Sequence, residues 1–165
     1  MCENMSKVKV LVVYYSRTGN TERMAKAVAE GASQVEDCEV VLKRVEEMKV
    51  DELKEYDAII IGSPTYYGQM AAEVKKFIDE SVKLHGELEG KVGGAFSSCA
   101  AMGGGVETTI LSILKAMLIH GMIIQGDPEE HHYGVVSIGP PTKEVLEACK
   151  RLGRRIAELA KKIKK

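Results

Sequence analysis

Two hydrophobic periodicities alternate along this chain. Val8 to Tyr15 is an almost unbroken run of apolar, β-branched and aromatic residues, the composition of a strand covered on both faces in a parallel sheet. From Glu22 to Val35 the spacing changes, and Met24, Ala25, Val28, Ala29 and Ala32 recur as one face of a helix. Strand-like runs return at Val40 to Val45, Ala58 to Gly62 and Val92 to Ser97; Lys43 and Arg44 weaken the first of these and place it at a sheet edge. Helical spacing returns at Glu73 to Leu84, through Val74, Phe77 and Ile78, and at Glu107 to His120, where Gly121 suits a left-handed C-terminal cap. Met122 to Gln125 and Tyr133 to Ile138 read as one interrupted fifth strand, or as a strand with a short extension. After Pro140 and Pro141, Thr142 reads as the N-cap of a last amphipathic helix carrying Val145, Cys149, Leu152, Ile156, Leu159 and Ile163. Such regular βα alternation predicts a doubly wound α/β sandwich with a parallel sheet, whose ligands sit beyond the carboxyl ends of the strands where strand order reverses.

At 165 residues and 45% hydrophobic content, one domain spanning residues 1–165 is expected, with no room for a second. Its 23 Lys and Arg nearly balance 24 Asp and Glu, and a net charge of -1 implies neither a nucleic acid nor an acidic membrane surface as partner. The basic stretch from Lys150 to Lys165 reads as the solvated face of the last helix. Met1 to Ser6 is too short and polar for the core of a signal peptide, and no apolar run reaches bilayer length, so a cytoplasmic protein without a membrane span is expected. Cys2, Cys38, Cys99 and Cys149 show neither C-x-x-C nor Cys/His ligand spacing, so they read as reduced thiols with no metal site.

Candidate chemistry gathers in three loops. Ser16-Arg17-Thr18-Gly19-Asn20-Thr21 joins the first strand to the first helix. Helix N-terminal amides carry unpaired donors and partial positive charge, Gly19 permits close backbone approach, and three hydroxyls add donors, which together describe a phosphate cup. A hydroxyl-rich helix cap has the same composition. Ser63-Pro64-Thr65-Tyr66-Tyr67-Gly68-Gln69-Met70 leaves the third strand with two tyrosines, which can either stack on a flat heteroaromatic ring or cover the core. Ser97 to Gly105, at the end of the fourth strand, holds small side chains and Gly103-Gly104-Gly105, suited to folding amides over a polar ring edge or to a mobile surface loop.

The first loop resembles the flavodoxin phosphate loop, T/S-x-T-G-x-T, which Ser16, Thr18, Gly19 and Thr21 match. The resemblance implies a three-layer sandwich with a five-stranded parallel sheet of order 2-1-3-4-5, and an FMN whose monophosphate these residues hold. Neither G-x-G-x-x-G nor G-x-x-x-x-G-K-[ST] is present. Pro64-Thr65 with Gly68-x-Met70, Phe96-Ser97-Ser98, Gly103-Gly104-Gly105-x-Glu107 and His120-Gly121-Met122 are similar to the NAD(P)H:quinone oxidoreductases related to tryptophan-repressor-binding protein. That similarity implies that Thr65, Tyr67, Gly68, Ser97, Gly104 and Gly105 line the FMN ring or ribityl chain. Taken with the three loop readings, the expected cofactor contacts are Ser16, Arg17, Thr18, Gly19, Asn20 and Thr21, then Pro64, Thr65, Tyr66, Tyr67 and Gly68, then Ser97, Ser98, Cys99, Ala100, Met102, Gly103, Gly104 and Gly105. The similarity also implies His120 beside the flavin ring where nicotinamide and quinone bind, and a homo-oligomer. The connector between Val45 and Tyr56 and the segment between Gln125 and Tyr133 are shorter than in those enzymes, and Tyr66 stands where they tend to have arginine.

Two related folds are excluded by residue type. A receiver domain needs carboxylates where Ser16 and Ser63 stand, and a low-molecular-weight tyrosine phosphatase needs C-x5-R in the first loop. The sequence leaves an FMN-dependent enzyme taking electrons from NAD(P)H to a quinone, a one-electron carrier between redox-partner proteins, and an FMN-binding regulatory module.

Overall fold

The computed structural model describes residues 7–164. The strands are β1 (Val8–Tyr14), β2 (Cys38–Arg44), β3 (Ala58–Tyr66), β4 (Gln69–Met70), β5 (Val92–Cys99), β6 (Ile123–Ile124) and β7 (Val135–Ile138), and the helices are α1 (Asn20–Ser33), α2 (Ala72–Glu80), α3 (Val106–Ile119) and α4 (Lys143–Ile163). The sheet order is β2-β1-β3-β5-β6, with β7 also paired to β5, and every one of these pairings is parallel. Strand order therefore reverses between β1 and β3. The expected 2-1-3-4-5 sandwich is present.

The alternation of β1 explains the two layers. Val8, Val10, Val12 and Tyr14 face a core completed by Met24 and Val28 of α1 and Ile156 of α4. Leu11 and Val13 face the opposite core, built with Val74 and Phe77 of α2 and Ile110 and Ile113 of α3. A strand buried on both sides needs apolar residues at both parities, hence its unbroken run. On the first face α1 and α4 pack backbone to backbone, because a methyl at Gly153 would run into the Val28 carbonyl oxygen and one at Gly31 into that of Lys150.

The fifth sheet position is an interrupted strand. β6 pairs with Val92 and Gly93 at one end of β5, and β7 pairs with Phe96 to Cys99 at the other. The intervening segment is pinned to α4 by Asp127, which accepts from Arg151 Nε and pairs with Arg155 Nη1, both at 2.9 Å. These two guanidiniums hold the Asp127 carboxyl well below the usual carboxylate range.

Several boundaries differ from expectation, and those nearest the loops matter most. α1 begins at Asn20 rather than Glu22, and α2 gives way to a 3-10 turn over Ser81–Leu84. The third strand does not end at Gly62. It continues to Tyr66 and folds back as β4, pairing Thr65 with Met70 and Tyr66 with Gln69.

Candidate functional site

The carboxyl ends of β1, β3 and β5 bring the three loops to one rim. In the first loop Ser16 is buried, and its Oγ accepts from the Gly19 amide at 3.1 Å. Gly19 is the N-cap of α1 with φ 95°, and no side chain caps that helix. α2 and α3 likewise begin without a side-chain cap, whereas Thr142 of α4 accepts from Val145 N. First-turn amides of α1 are thus left as donors, and a Cβ built on Gly19 meets nothing within 4 Å. Arg17 and Thr18 are exposed, Gly19 and Asn20 half-buried. Glu22, the one carboxylate of this turn, is covered by Lys26 at 2.7 Å and Arg44 at 3.6 Å, and the Lys26 hydrogen bond holds it below its ordinary range.

Hydroxyls tie the loops together. Thr21 is 1% exposed, and its Oγ1 lies 2.9 Å from Ser98 Oγ, linking the first loop to the third. Ser97 Oγ donates to the Ser63 carbonyl at 2.7 Å and lies 2.9 Å from Thr65 Oγ1, linking the third to the second. Ser63, fully buried, accepts from the Ala71 amide at 2.9 Å and so fixes where the hairpin returns. Thr108 Oγ1 lies 2.9 Å from the Gly68 carbonyl and 2.8 Å from that of Gly105. A Cβ on Gly105, the N-cap of α3, would come within 2.6 Å of Gly68 Cα.

The hairpin tip carries the ring-like surface. Tyr67 and Gly68 have φ of 49° and 74°, the left-handed pair of a two-residue turn whose twist matches the flanking strands. Tyr67 is fully exposed and Tyr66 is 37% exposed, and neither belongs to the buried core. Pro64 and Thr65 are half-buried below them. In the third loop Gly104 N donates to the Ala101 carbonyl at 3.1 Å, Cys99 Sγ donates to the same oxygen at 3.3 Å, and Ala100, Met102 and Gly103 are exposed.

His120 is not at this rim. It is the C-cap of α3, the far end of a 14-residue helix that spans about 20 Å, whereas the rim lies at Gly105. The expected placement beside the ring is therefore corrected within one chain: a residue that closes a helix begun at the carboxyl edge lies at the amino edge of the sheet. There His120 Nε2 lies 2.8 Å from Ser81 Oγ. Because Ser81 Oγ donates to the Ile78 carbonyl at 2.6 Å, its one proton is committed, so Nε2–H is the donor and Nδ1 carries the lone pair. That Nδ1 is buried without a partner, in an apolar cavity of about 30 Å³ lined by Leu53, Phe77, Leu88 and Met117. Burial and, secondarily, the nearby His85 lower its pKa.

Arg44 and Thr108 are the structural residues of the rim that lie outside the three loops read from the sequence. Arg44 had one usable signal, its position at the carboxyl end of a strand. Among the described residues no helix is long and apolar enough to cross a membrane, and no cluster of His, Cys, Asp or Glu is arranged to hold a metal.

Residues 11–119 match the flavodoxin domain model, which contains all three loops. The chain belongs to the flavodoxin family. Flavodoxin-family proteins bind FMN, and the uncapped α1 and open Gly19 fit a cofactor with a terminal phosphate. An NAD(P)H dehydrogenase (quinone) of Archaeoglobus fulgidus is 41% identical, covering 94% of this chain and 98% of its own. That alignment runs over 189 positions, more than this chain has residues, so the relative carries segments absent here. A flavodoxin of Aquifex aeolicus is 43% identical, covering 91% of this chain and 85% of its own. Among solved structures, a flavodoxin, WrbA-like protein from Agrobacterium tumefaciens superposes with a TM-score of 0.82 at 29% identity, covering 94% and 99% of the two chains.

Proposed function

We propose that this protein carries electrons from NADH or NADPH, through FMN held at the three joined loops, to a quinone or similar acceptor. The observation that carries the binding part is the pairwise tying of the loops around an uncapped helix terminus. The Asn20 and Thr21 amides and the Thr18 hydroxyl would hold the phosphate, where donors and helix dipole favour an anion. Tyr66 and Tyr67 would offer ring faces, and the Gly104 and Gly105 backbone would approach the polar edge of the ring. When bound, FMN supplies hydride acceptance at N5 and release of electrons singly or in pairs. This chain would contribute binding and orientation.

The enzymatic part rests on the Archaeoglobus relative and on a net charge of -1, which gives little electrostatic steering toward a protein partner. The Aquifex flavodoxin supports the second reading, a one-electron carrier without nicotinamide oxidation of its own. Anaerobic stopped-flow absorbance of the FMN-loaded protein mixed with NADH or NADPH separates them. The proposal predicts fast bleaching, then reoxidation when a benzoquinone is added. Absence of bleaching, with reduction by dithionite in two one-electron steps, identifies the carrier.

A further inference from the structure

Arg44 stands at the end of β2, outside the three loops, yet its contacts converge on the first of them. Its Nη2 donates to the Ser16 carbonyl at 2.7 Å. Nη1 lies 3.6 Å from Glu22 Oε2, and Nη2 lies 3.6 Å from Glu46 Oε1. The guanidinium sits over the rings of Tyr14 and Tyr15, at 5.6 and 6.0 Å from their centroids. A guanidinium within cation-π range of two rings gains a weak attraction that favours the position from which it makes these bonds.

A loop that receives a phosphate must turn its amides inward and its carbonyls away. Arg44 binds the Ser16 carbonyl from the β2 side, while Ser16 Oγ takes the Gly19 amide and sets the turn. Glu22 lies in the first turn of α1, where its charge would repel a dianion. Lys26 covers its Oε1, and Arg44 covers its Oε2. Each pair alone is weak because the side chains are partly solvated; together they neutralise the one carboxylate in that turn.

We propose that Arg44 is a positioning residue for the FMN phosphate, acting through Ser16 and Glu22 and not as a ligand. The inference rests on the FMN reading above. It predicts a defect confined to the phosphate end of the ligand.

Apo protein, wild type and the variants Arg44→Ala and Arg44→Lys, would be titrated with FMN and with riboflavin by flavin fluorescence. For Arg44→Ala the FMN Kd rises at least tenfold while the riboflavin Kd moves less than twofold, and Arg44→Lys falls between wild type and Ala. Without any flavin, amide exchange at Gly19 accelerates at least fivefold in Arg44→Ala while β1 amides keep their protection. Equal weakening of FMN and riboflavin, or an unchanged FMN Kd, overturns the proposal. Failure of wild type to take up FMN overturns instead the reading on which it rests.

Discussion

Thr21 and Ser98, 77 positions apart in sequence, share a 2.9 Å hydrogen bond between buried hydroxyls. The bond joins the start of α1 to the end of β5 and sets the spacing of the first and third loops. Either Thr21→Val or Ser98→Ala leaves one hydroxyl unpaired and should cost about 1–2 kcal/mol. The double variant should cost less than the sum, with a coupling of about 1 kcal/mol in urea unfolding of the apo protein. Strict additivity would show that the pair carries no mutual energy.

Tyr67 holds φ 49° at the hairpin tip with its side chain in solvent. A non-glycine residue there costs on the order of 1 kcal/mol and gains no packing in the apo protein. Tyr67→Gly should therefore raise apo stability by up to about 1 kcal/mol while weakening FMN affinity, because a ring face is lost. Thermal unfolding and flavin titration on the same samples check both signs; a destabilised variant contradicts the strain argument.

His120 gives a pH dependence whose sign follows from its site. Its folded pKa lies below the ordinary value, first because of burial, so protonation forces a charge beside a cavity whose named lining is apolar. Stability from the neutral ring is fully present above its unfolded pKa of about 6.5 and is lost as pH falls through the folded value. The neighbouring His85, 6.3 Å between ring centroids, is the second and smaller cause of the lowering. Ring titration by NMR should place His120 below 6.5, and His120→Gln should lose less stability than wild type between pH 7.5 and 5.5. A His120 titrating above 6.5 would contradict the burial.

The layered fold was legible because burial on both faces forces unbroken apolar runs in β1, β3 and β5, while α4 shows its one buried face as a clean helical stripe. The first loop was legible because phosphate-type sites need small and hydroxyl residues at short, local spacing. The hairpin at Tyr67-Gly68 was not, since a tyrosine in the left-handed region departs from the usual turn residues. Arg44 reads in sequence as an edge-strand cation, and only the pairing of β2 beside β1 carries it to Ser16. Within one chain His120 stands away from the rim for a geometric reason: short motifs record which residues accompany a site, whereas 14 residues of helix decide at which end of the sheet they stand.

The central claim is that the three joined loops hold FMN with its phosphate at the start of α1. Titrating the apo protein with FMN, as wild type and as Thr18→Glu, tests it most directly. Saturable one-to-one binding by wild type, abolished in Thr18→Glu with an unchanged circular dichroism spectrum, is the predicted result. Undiminished FMN binding by Thr18→Glu would contradict the phosphate assignment, and no binding by wild type would contradict the site itself.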